Sequence, residues 1–459
     1  MKIGSTSTKH IASMSYRLDP SLHLSDGLQV RGELAKFPYG LITISDVSEK
    51  IFYGNIFSRI FVKDRAHGKT YLAASDTVLA NIETGKYLSN KQSNQLKHLW
   101  LQKDWILVTC SGTLGNVTYT NNTFEDKIAT HDLIRIVPND KHILKGVVYA
   151  FLAGRYGYYQ ITQSQFGGVV KHINDKEVGK ILIPNFPESF QQEVDDLIQE
   201  SARLREEAAE ALEEAKSIMG KFIAVSFTKN YFKTLKVTAK DIFSSLQHRL
   251  DPPAIINDGV YAMRDIIKKF PYKLIGDIDG TVFRPGIFKR VYVNNGIPYL
   301  KGSEIFMSNP FRRCEHLSKT RTPFIEEMRM KEGQILITCA GSVGDIKYIT
   351  KEYEDKKSIG SQDIIRLESS DSLYTKEYLF VYLQQPFVYD YIQSMKYGSV
   401  IERIEPFHVE SIPVIEPTEN LSEQITMIVK RYADCIYRAF CAEERAISMV
   451  EQKIEKWNN

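Results

Sequence analysis

The sequence predicts an α+β protein made of two tandem α/β domains, each followed by a long helix. Three observations predict this fold: the chain repeats itself once, each copy holds short apolar runs between turn residues, and each copy ends in an apolar stripe with heptad spacing. With 459 residues, the chain is long enough for two such domains. We therefore expect domains at 1–186 and 223–417, the second including its lead-in, and helices at 187–222 and 418–459.

The repeat is a tandem duplication with an offset of about 231 residues. The matched segments occur in the same order in both copies: RLDP at 17–20 and 249–252, KFPY at 36–39 and 269–272, IFSR at 56–59 with IFKR at 287–290, ILVTCSGTLG at 106–115 with ILITCAGSVG at 335–344, and DLIR at 132–135 with DIIR at 363–366. Because these matches are colinear at nearly one offset, chance does not explain them. The two copies should therefore share one fold.

Strands are expected in the first part of each copy. Short runs rich in β-branched and apolar residues lie at 106–109 and 133–136, and their counterparts lie at 335–338 and 364–367. Gly, Asn and Ser residues separate these runs, which is typical of turns between strands.

A long amphipathic helix should close each copy. Apolar residues recur at alternating spacings of three and four, which is the pattern of a coiled-coil seam. The seam residues are Val194, Leu197, Leu204, Ala208, Ala211 and Ile218 in the first helix and Ile425, Ile428, Tyr432, Ala439, Ala446 and Met449 in the second. Since neither helix can bury its stripe alone, we expect the two to pair as an antiparallel coiled coil. The alternative is that each helix packs onto its own domain as an ordinary core element.

Composition limits the class of protein. The net charge of +3 hides a segment, 188–216, with ten acidic and three basic residues, so the rest of the chain carries +10. That excess suits contact with a polyanion, although it also suits an ordinary solvated surface. The five cysteines are scattered and form no CxxC pair, which favours a reducing compartment. We find neither a signal peptide nor an apolar run of transmembrane length, and expect a soluble cytoplasmic protein.

Two segments resemble catalytic or nucleotide-binding motifs but lack a residue that each motif requires. Asp251–Ala254 (DPPA) lacks the aromatic residue with which an adenine methyltransferase holds a flipped base, so it is interpreted as a structural turn. Gly68–Thr70 (GKT) resembles the end of a phosphate-binding loop, but Lys63 stands where the leading glycine is needed. The histidines lie in no repeated ligand set, so we expect no metal site and no catalytic residue in this chain.

The glycine turns and the tail of each copy carry a family resemblance. The tails read FGGVVKHI at 166–173, ILIP at 181–184 and QQ at 191–192 in the first copy, against YGSVIERI at 397–404, IP at 412–413 and SEQI at 422–425 in the second. In these features the sequence is similar to Type I restriction-modification specificity subunits. It departs from the family in Gln191-Gln192 and in the single Phe186-Pro187, where a more proline-rich strand exit is usual.

The resemblance implies a function and a set of partners. Such a subunit has two target-recognition domains that bind double-stranded DNA at an asymmetric bipartite target, and its paired helices form a spacer. It binds two methyltransferase subunits and in some systems ATP-driven restriction and translocase subunits, so S-adenosylmethionine and ATP are expected on the partners and no cofactor in this chain. The alternative is a subunit of a methylation-only or other DNA-modification defence complex. A self-contained methyltransferase or nuclease, and a scaffold without a DNA role, are two further hypotheses.

Candidate DNA contacts come from the glycine turns and from segments in which the copies differ. Backbone amides and hydroxyls in the turns around Gly112 and Gly341 could hold phosphate, or the turns could be tight connections without a ligand. Bases are read by Arg, Lys, Asn and Gln, and the divergent segments 86–97 and 312–321 are rich in these residues, although each could also be a solvated surface charge. The candidates are Arg59, Lys63, Lys86, Asn90, Lys91, Gln92, Asn94, Ser111, Thr113, Gln163, Gln165, Lys289, Arg290, Arg312, Arg313, Lys319, Arg321, Ser342, Lys396 and Tyr397.

Overall fold

In a computed structural model the chain divides into two units. The structure describes residues 26–111, 114–163, 172–224 and 249–457, together with the shorter stretches and single positions 5, 7–13, 16, 18, 23, 165, 238–239 and 242. Unit 1 comprises Met1–Glu206 and Arg438–Asn459, and unit 2 comprises Glu207–Tyr437. Each unit therefore contains one sequence repeat and parts of both long helices.

Unit 1 is built from two four-stranded sheets and a two-stranded ribbon. Its helices are α1 (Thr8–Ser13), α2 (Asp26–Leu34), α3 (Asn90–Gln95), α4 (Lys145–Ala153), α5 (Arg155–Gln163), α6 (Asp175–Gly179) and the first part of the first long helix, α7 (Glu188–Ile223). Its strands are β1 (Leu41–Thr43), β2 (Ser48–Phe52), β3 (Phe61–Val62), β4 (Gly68–Leu72), β5 (Tyr87–Ser89), β6 (Ile106–Thr109), β7 (Val117–Tyr119), β8 (Ile128–Ala129), β9 (Leu133–Pro138) and β10 (Leu182–Pro184). The sheet orders are β2-β9-β6-β7 and β3-β5-β4-β8, and β1 pairs with β10.

Unit 2 repeats this plan. Its helices are α8 (Pro252–Ile255), α9 (Asp258–Lys269), α10 (Ile325–Met328), α11 (Lys351–Asp355), α12 (Lys376–Leu383), α13 (Pro386–Ser394), α14 (Pro406–Glu410) and the first part of the second long helix, α15 (Glu419–Glu455). Its strands are β11 (Tyr272–Leu274), β12 (Gly280–Phe283), β13 (Tyr292–Leu300), β14 (Glu315–Leu317), β15 (Ile335–Thr338), β16 (Ile346–Tyr348), β17 (Ile359–Gly360), β18 (Ile364–Ser369) and β19 (Pro413–Ile415). The sheet orders are β12-β18-β15-β16 and β14-β13-β17, and β11 pairs with β19.

The predicted duplication is confirmed by these matching topologies. In each unit the main antiparallel sheet has its two central strands in the apolar runs that the sequence predicts, and all four residues of β6 and of β15 are buried. The small sheet in each unit holds one parallel pair, β4 with β8 and β13 with β17. The predicted α+β class with two tandem domains is therefore confirmed.

A buried arginine links the two sheets of each unit. Arg135 on β9 is fully buried, and its guanidinium donates to the carbonyl oxygens of Leu133 at 3.0 Å, Ala129 at 3.0 Å and Thr130 at 3.1 Å. Burial lowers the pKa of this guanidinium to about 10, and the carbonyl dipoles offset the cost of desolvating the cation. Ala129 lies on the small sheet, so the arginine joins it to the main sheet.

Unit 2 contains the equivalent link. Arg366 on β18 is also fully buried and donates to the carbonyl oxygens of Ile364 at 2.9 Å, Gly360 at 3.1 Å and Met328 at 3.3 Å. Burial lowers its pKa to about 10 as well. The repeated DLIR and DIIR segments are therefore structural elements of the core.

The long helices run antiparallel in unit 1. Ser201 Oγ donates to the carbonyl oxygen of Ala439 at 2.8 Å, and Arg205 Nη2 lies 2.6 Å from Glu443 Oε2. Both helices also enter the core of this unit, because Val194 and Ile198 of α7 and Ile447 of α15 belong to one buried apolar cluster. Pairing and packing onto the domain, which the sequence leaves as alternatives, therefore occur together.

The helices are also antiparallel in unit 2. Arg431 pairs with Glu214, and Cys435 Sγ lies 3.9 Å from Glu207 Oε2, so residue numbers again rise along one helix as they fall along the other. Small seam residues such as Ala208 and Ala211 are buried, which permits close helix packing. No helix in the described part of the chain is long and apolar enough to cross a membrane.

Three residues of the predicted seam are only partly buried. Leu197 and Ile218 are only partly buried, whereas the next residues, Ile198 and Met219, are buried in the core. In the second helix Met449 is likewise only partly buried against the core of unit 1. The heptad spacing fits a buried residue at either of two neighbouring positions. A helix that contacts both a partner helix and a domain buries a wider face, so the buried position can be the next residue along the chain.

Candidate nucleic-acid interface

Arg59 and Arg290, two of the candidate DNA contacts, occupy equivalent positions. Arg59 Nε donates to Tyr71 Oη at 2.6 Å, and its guanidinium lies 5.6 Å from the Tyr71 ring centroid. The guanidinium of Arg290 lies at the same 5.6 Å from the Tyr299 ring and 3.9 Å from Asp363 Oδ2. Both tyrosines are buried on an inner strand, β4 or β13, so each arginine packs against the middle of the small sheet.

The divergent segment of unit 1 divides into bonded and exposed side chains. Gln92 accepts from the backbone N–H of Ile60 at 2.9 Å and donates to the carbonyl of Ser58, and Asn90 Nδ2 donates to the carbonyl of Ala66 at 3.2 Å. These two amides hold neighbouring loops. Lys86 Nζ lies 3.3 Å from Asp76 Oδ2. Lys86 and Asn90 are exposed despite these contacts, and the other exposed candidates of this region are Lys63, Lys91 and Asn94.

The divergent segment of unit 2 lies beside a groove. Lys319 and Arg321 are exposed, whereas Arg312 is partly buried and Arg313 is exposed with contacts of its own. The groove has a volume of about 770 Å³, and its lining includes Lys319, Thr322, Phe324, Glu326, Glu327, Arg329, Lys356 and Lys357. A groove with four basic side chains suits a phosphate-bearing ligand.

Sequence reasoning missed part of this groove. Lys356 and Lys357 follow α11, far from the segment 312–321, and only the fold brings them beside Lys319. Phe324 adopts a left-handed backbone conformation, with φ of 56°, and its ring is exposed. A positive φ at an aromatic residue has no signature in a single sequence.

The two glycine turns are hairpin connections. Each joins antiparallel strands, β6 to β7 and β15 to β16. Gly115 and Gly344 have φ of 80° and 91°, a region that favours glycine, and the backbone N–H of each bonds back to the preceding strand. Ser111 is partly buried and forms an isolated bridge with His172, and Ser342 is exposed. Thr113 and Gly112 lie outside the described residues.

The last group of candidates needs one correction. Gln163 is buried, and its Oε1 accepts from Arg31 Nε at 3.0 Å, so its amide cannot reach a duplex from this position. An amide near the end of an amphipathic helix serves an internal hydrogen bond as well as a surface contact, and the sequence pattern does not separate the two. Gln165 is partly buried. The tail segment 166–171 lies outside the described residues.

Lys396 and Tyr397 are held by carboxylates in unit 2. Lys396 Nζ contacts Glu402, and Tyr397 Oη donates to Glu405 Oε1 at 2.9 Å. The Tyr397 ring stacks on His408, with centroids 5.5 Å apart. Partial burial and the Glu405 carboxylate raise the pKa of Tyr397, so the phenol stays a donor at neutral pH. These contacts rigidify the loop that follows α13.

The described residues form no metal centre, and neither the Cys110 nor the Cys339 thiol is activated as a nucleophile. No group of three or more His, Cys, Asp or Glu side chains among the described residues could hold a metal ion. Burial raises the pKa of Cys110 to about 12 and also raises the pKa of Cys339, which keeps both thiols protonated. Burial also lowers the pKa of His408, whose Nδ1 accepts from the backbone N–H of Glu405 at 3.0 Å.

Comparisons with solved structures find distant likenesses. The S subunit of a Type I restriction-modification system from M. genitalium is 12% identical with a TM-score of 0.37, over 90% of this chain and 96% of that one. The HsdS subunit from Thermoanaerobacter tengcongensis is 14% identical with a TM-score of 0.29, over 92% and 98%. A chain from a study of complex assembly and conformational transition of the type I R-M system is 14% identical with a TM-score of 0.27. A search of curated proteins gives no match.

The family match is more informative. The model described as the Type I restriction modification DNA specificity domain matches residues 39–202 and 280–437. These two regions cover more than two thirds of the chain, and each begins near the start of one repeat and ends within a long helix. The chain therefore belongs to the Type I restriction-modification specificity subunit family.

Proposed function

We propose that this chain reads an asymmetric bipartite DNA target and performs no chemistry on it. The observation that carries the proposal is the duplication: two units of one topology present different side chains in their divergent segments. Unit 1 exposes Lys91 and Asn94, whereas unit 2 exposes Lys319 and Arg321. Each unit then reads one half-site, and unlike surfaces give unlike half-sites.

The same proposal assigns the partners. Two methyltransferase subunits would bind this chain and carry S-adenosylmethionine, and restriction and translocase subunits with ATP would join them in some complexes. The long helices would act as the spacer that sets the gap between half-sites, in a cytoplasmic complex. Two similar units and two similar helices suit two copies of one partner.

Mapping of methylated adenines in the source genome tests the target. Deletion of the gene for this chain should abolish methylation at one bipartite motif, and its return should restore that methylation. The double variant Lys91→Ala with Asn94→Ala should relax the sequence requirement in one half of the motif, and Lys319→Ala with Arg321→Ala should relax it in the other half. Each lost base contact should reduce discrimination by about 1–3 kcal/mol. A motif altered in both halves by one pair of variants would contradict the assignment of one half-site to each unit.

Insertion of one heptad into both long helices tests the spacer. The insertion points are after Glu206 and after Tyr437, where the division between the units falls, so the contacts inside each unit are retained. Seven helical residues add about 10.5 Å, so the gap between half-sites should grow by about three base pairs. An insertion in only one helix is the control, because it disrupts the facing contacts. An unchanged gap with both insertions would refute the spacer role.

A further inference from the structure

Each unit carries one loop of the same construction beside its small sheet. We call residues 53–63 loop 1 and residues 284–294 loop 2; they are matched at an offset of 231 residues. In loop 1, Phe57 packs against a buried cluster that includes Tyr71 and Leu88. In loop 2, Phe288 packs against a cluster that includes Tyr299 and Leu317. Each phenylalanine therefore anchors its loop in the core of the small sheet.

Two further contacts hold both loops in the same way. The backbone N–H of Ser89 donates to the carbonyl of Ile60 at 2.9 Å, and the N–H of Ser318 donates to the carbonyl of Val291 at 2.9 Å. The guanidiniums of Arg59 and Arg290 lie over the buried tyrosines described above. The loops are therefore preorganised, so a ligand that binds them meets little cost in chain ordering.

An isoleucine projects from each anchored loop into solvent. Ile56 is 85% exposed and Ile287 is 75% exposed, although each directly precedes a phenylalanine that packs against a buried cluster. Phe61 and Tyr292, five residues later in each loop, are also exposed. A single exposed apolar residue needs no explanation. Apolar residues exposed at matched positions in both units indicate a ligand that both units contact in the same way.

Charge selects the class of that ligand. Loop 1 contains the basic residues Arg59 and Lys63, loop 2 contains Arg284, Lys289 and Arg290, and neither loop contains an acidic residue. Arg284 is paired with Glu405, but Lys63 and Lys289 are exposed. Exposed basic residues in the same loop as an exposed isoleucine fit a duplex, in which phosphates flank stacked bases.

We propose that Ile56 and Ile287 are apolar contacts to the bases of the two half-sites, one from each unit. The contact is tolerant of sequence, because the same side chain serves two half-sites that differ. It supplies affinity and fixes the depth of each unit in its groove, while the exposed side chains of the divergent segments read the sequence. This inference rests on the proposed function of the chain as a DNA-reading subunit.

Alanine variants of the full-length chain test the contact. Ile56→Ala and Ile287→Ala should each weaken binding to a fluorescein-labelled duplex that contains the mapped target by about tenfold, measured by anisotropy with and without the methyltransferase subunit from the same source. The slope of affinity against salt concentration should not change, because no phosphate contact is lost. Met427→Ala is the matched control, since Met427 is 67% exposed but its counterpart in the first long helix, Asp196, is charged, so no apolar side chain is repeated at this position.

Photo-crosslinking locates the contact directly. A benzophenone amino acid at position 56 should crosslink to DNA in one half-site, and the same group at position 287 should crosslink in the other. Variants with the affinity of the Met427→Ala control would overturn the proposal. So would crosslinks to the methyltransferase subunit, which would make these loops a protein-docking surface. If the unaltered chain binds no duplex in either condition, the proposed function itself fails.

Discussion

The buried carboxylate of Glu443 offers a quantitative test of how unit 1 holds the two long helices together. Its Oε2 accepts from Arg205 Nη2 at 2.6 Å, and its Oε1 accepts from Tyr149 Oη, so one side chain of α15 contacts both α7 and α4. The carboxylate is almost fully buried, and the Arg205 side chain is 23% exposed. Glu443→Gln keeps the shape and removes the charge.

The size of the effect follows from the burial of the pair. Loss of one partner of a fully buried ion pair costs about 3–5 kcal/mol, since the other charge is left uncompensated. Because Arg205 retains some contact with solvent, we expect about 2–3 kcal/mol for Glu443→Gln. For a unit of this size, each kcal/mol shifts the melting temperature by about 2–4 °C, so unit 1 should melt about 4–12 °C lower.

Calorimetry of the full chain measures this shift, and a second ion pair supplies the control. Arg431 and Glu214 are partnered in unit 2 with side chains about half exposed, so Glu214→Gln should change stability by less than about 1 kcal/mol. The triple variant Tyr149→Phe, Arg205→Met and Glu443→Leu should recover most of the loss, because apolar residues then replace the buried pair and the hydroxyl bonded to it at little cost. A Glu443→Gln protein as stable as the Glu214→Gln protein would refute the reasoning.

Two more predictions concern the cores and the thiols. Arg366→Met leaves three buried carbonyl groups without a donor and should destabilise unit 2 by about 3–5 kcal/mol in denaturant unfolding. Arg135→Met should destabilise unit 1 by a similar amount. A loss of stability below about 1 kcal/mol would contradict the structural role of these arginines. Cys110 is buried and, with its pKa raised to about 12, stays a thiol at pH 8, whereas Cys441 is exposed. Mass spectrometry after iodoacetamide treatment should therefore find Cys441 labelled well before Cys110. Equal labelling rates would show that burial does not protect the Cys110 thiol.

The sequence predicts the fold well because the duplication constrains it twice. Each apolar run and each heptad stripe occurs in two copies, so a pattern that is ambiguous once becomes informative when repeated. The helices, expected at 187–222 and 418–459, lie at Glu188–Ile223 and Glu419–Glu455.

The candidate site is harder to predict, because the chemistry of a side chain does not reveal which group it contacts in the folded protein. Gln92 and Gln163 are amides of the kind that reads bases, yet one holds a neighbouring loop and the other bonds to Arg31 in the interior. Arg135 belongs to a repeated segment, but only the fold shows that its guanidinium lies among carbonyl groups. Lys356 and Lys357 join Lys319 through tertiary structure alone. The DNA contacts themselves stay predictions.

Unit 1 is built from two segments that are far apart in the sequence, and this has a consequence for synthesis on the ribosome. Its apolar interior includes Ile447, Val450 and Ile454, which emerge only after the whole of unit 2 has been translated. Unit 2 is continuous in sequence and can therefore complete its fold first. Unit 1 is translated earlier, but its core stays incomplete until these residues are available. During that interval the nascent chain exposes apolar surface that a chaperone would need to shield.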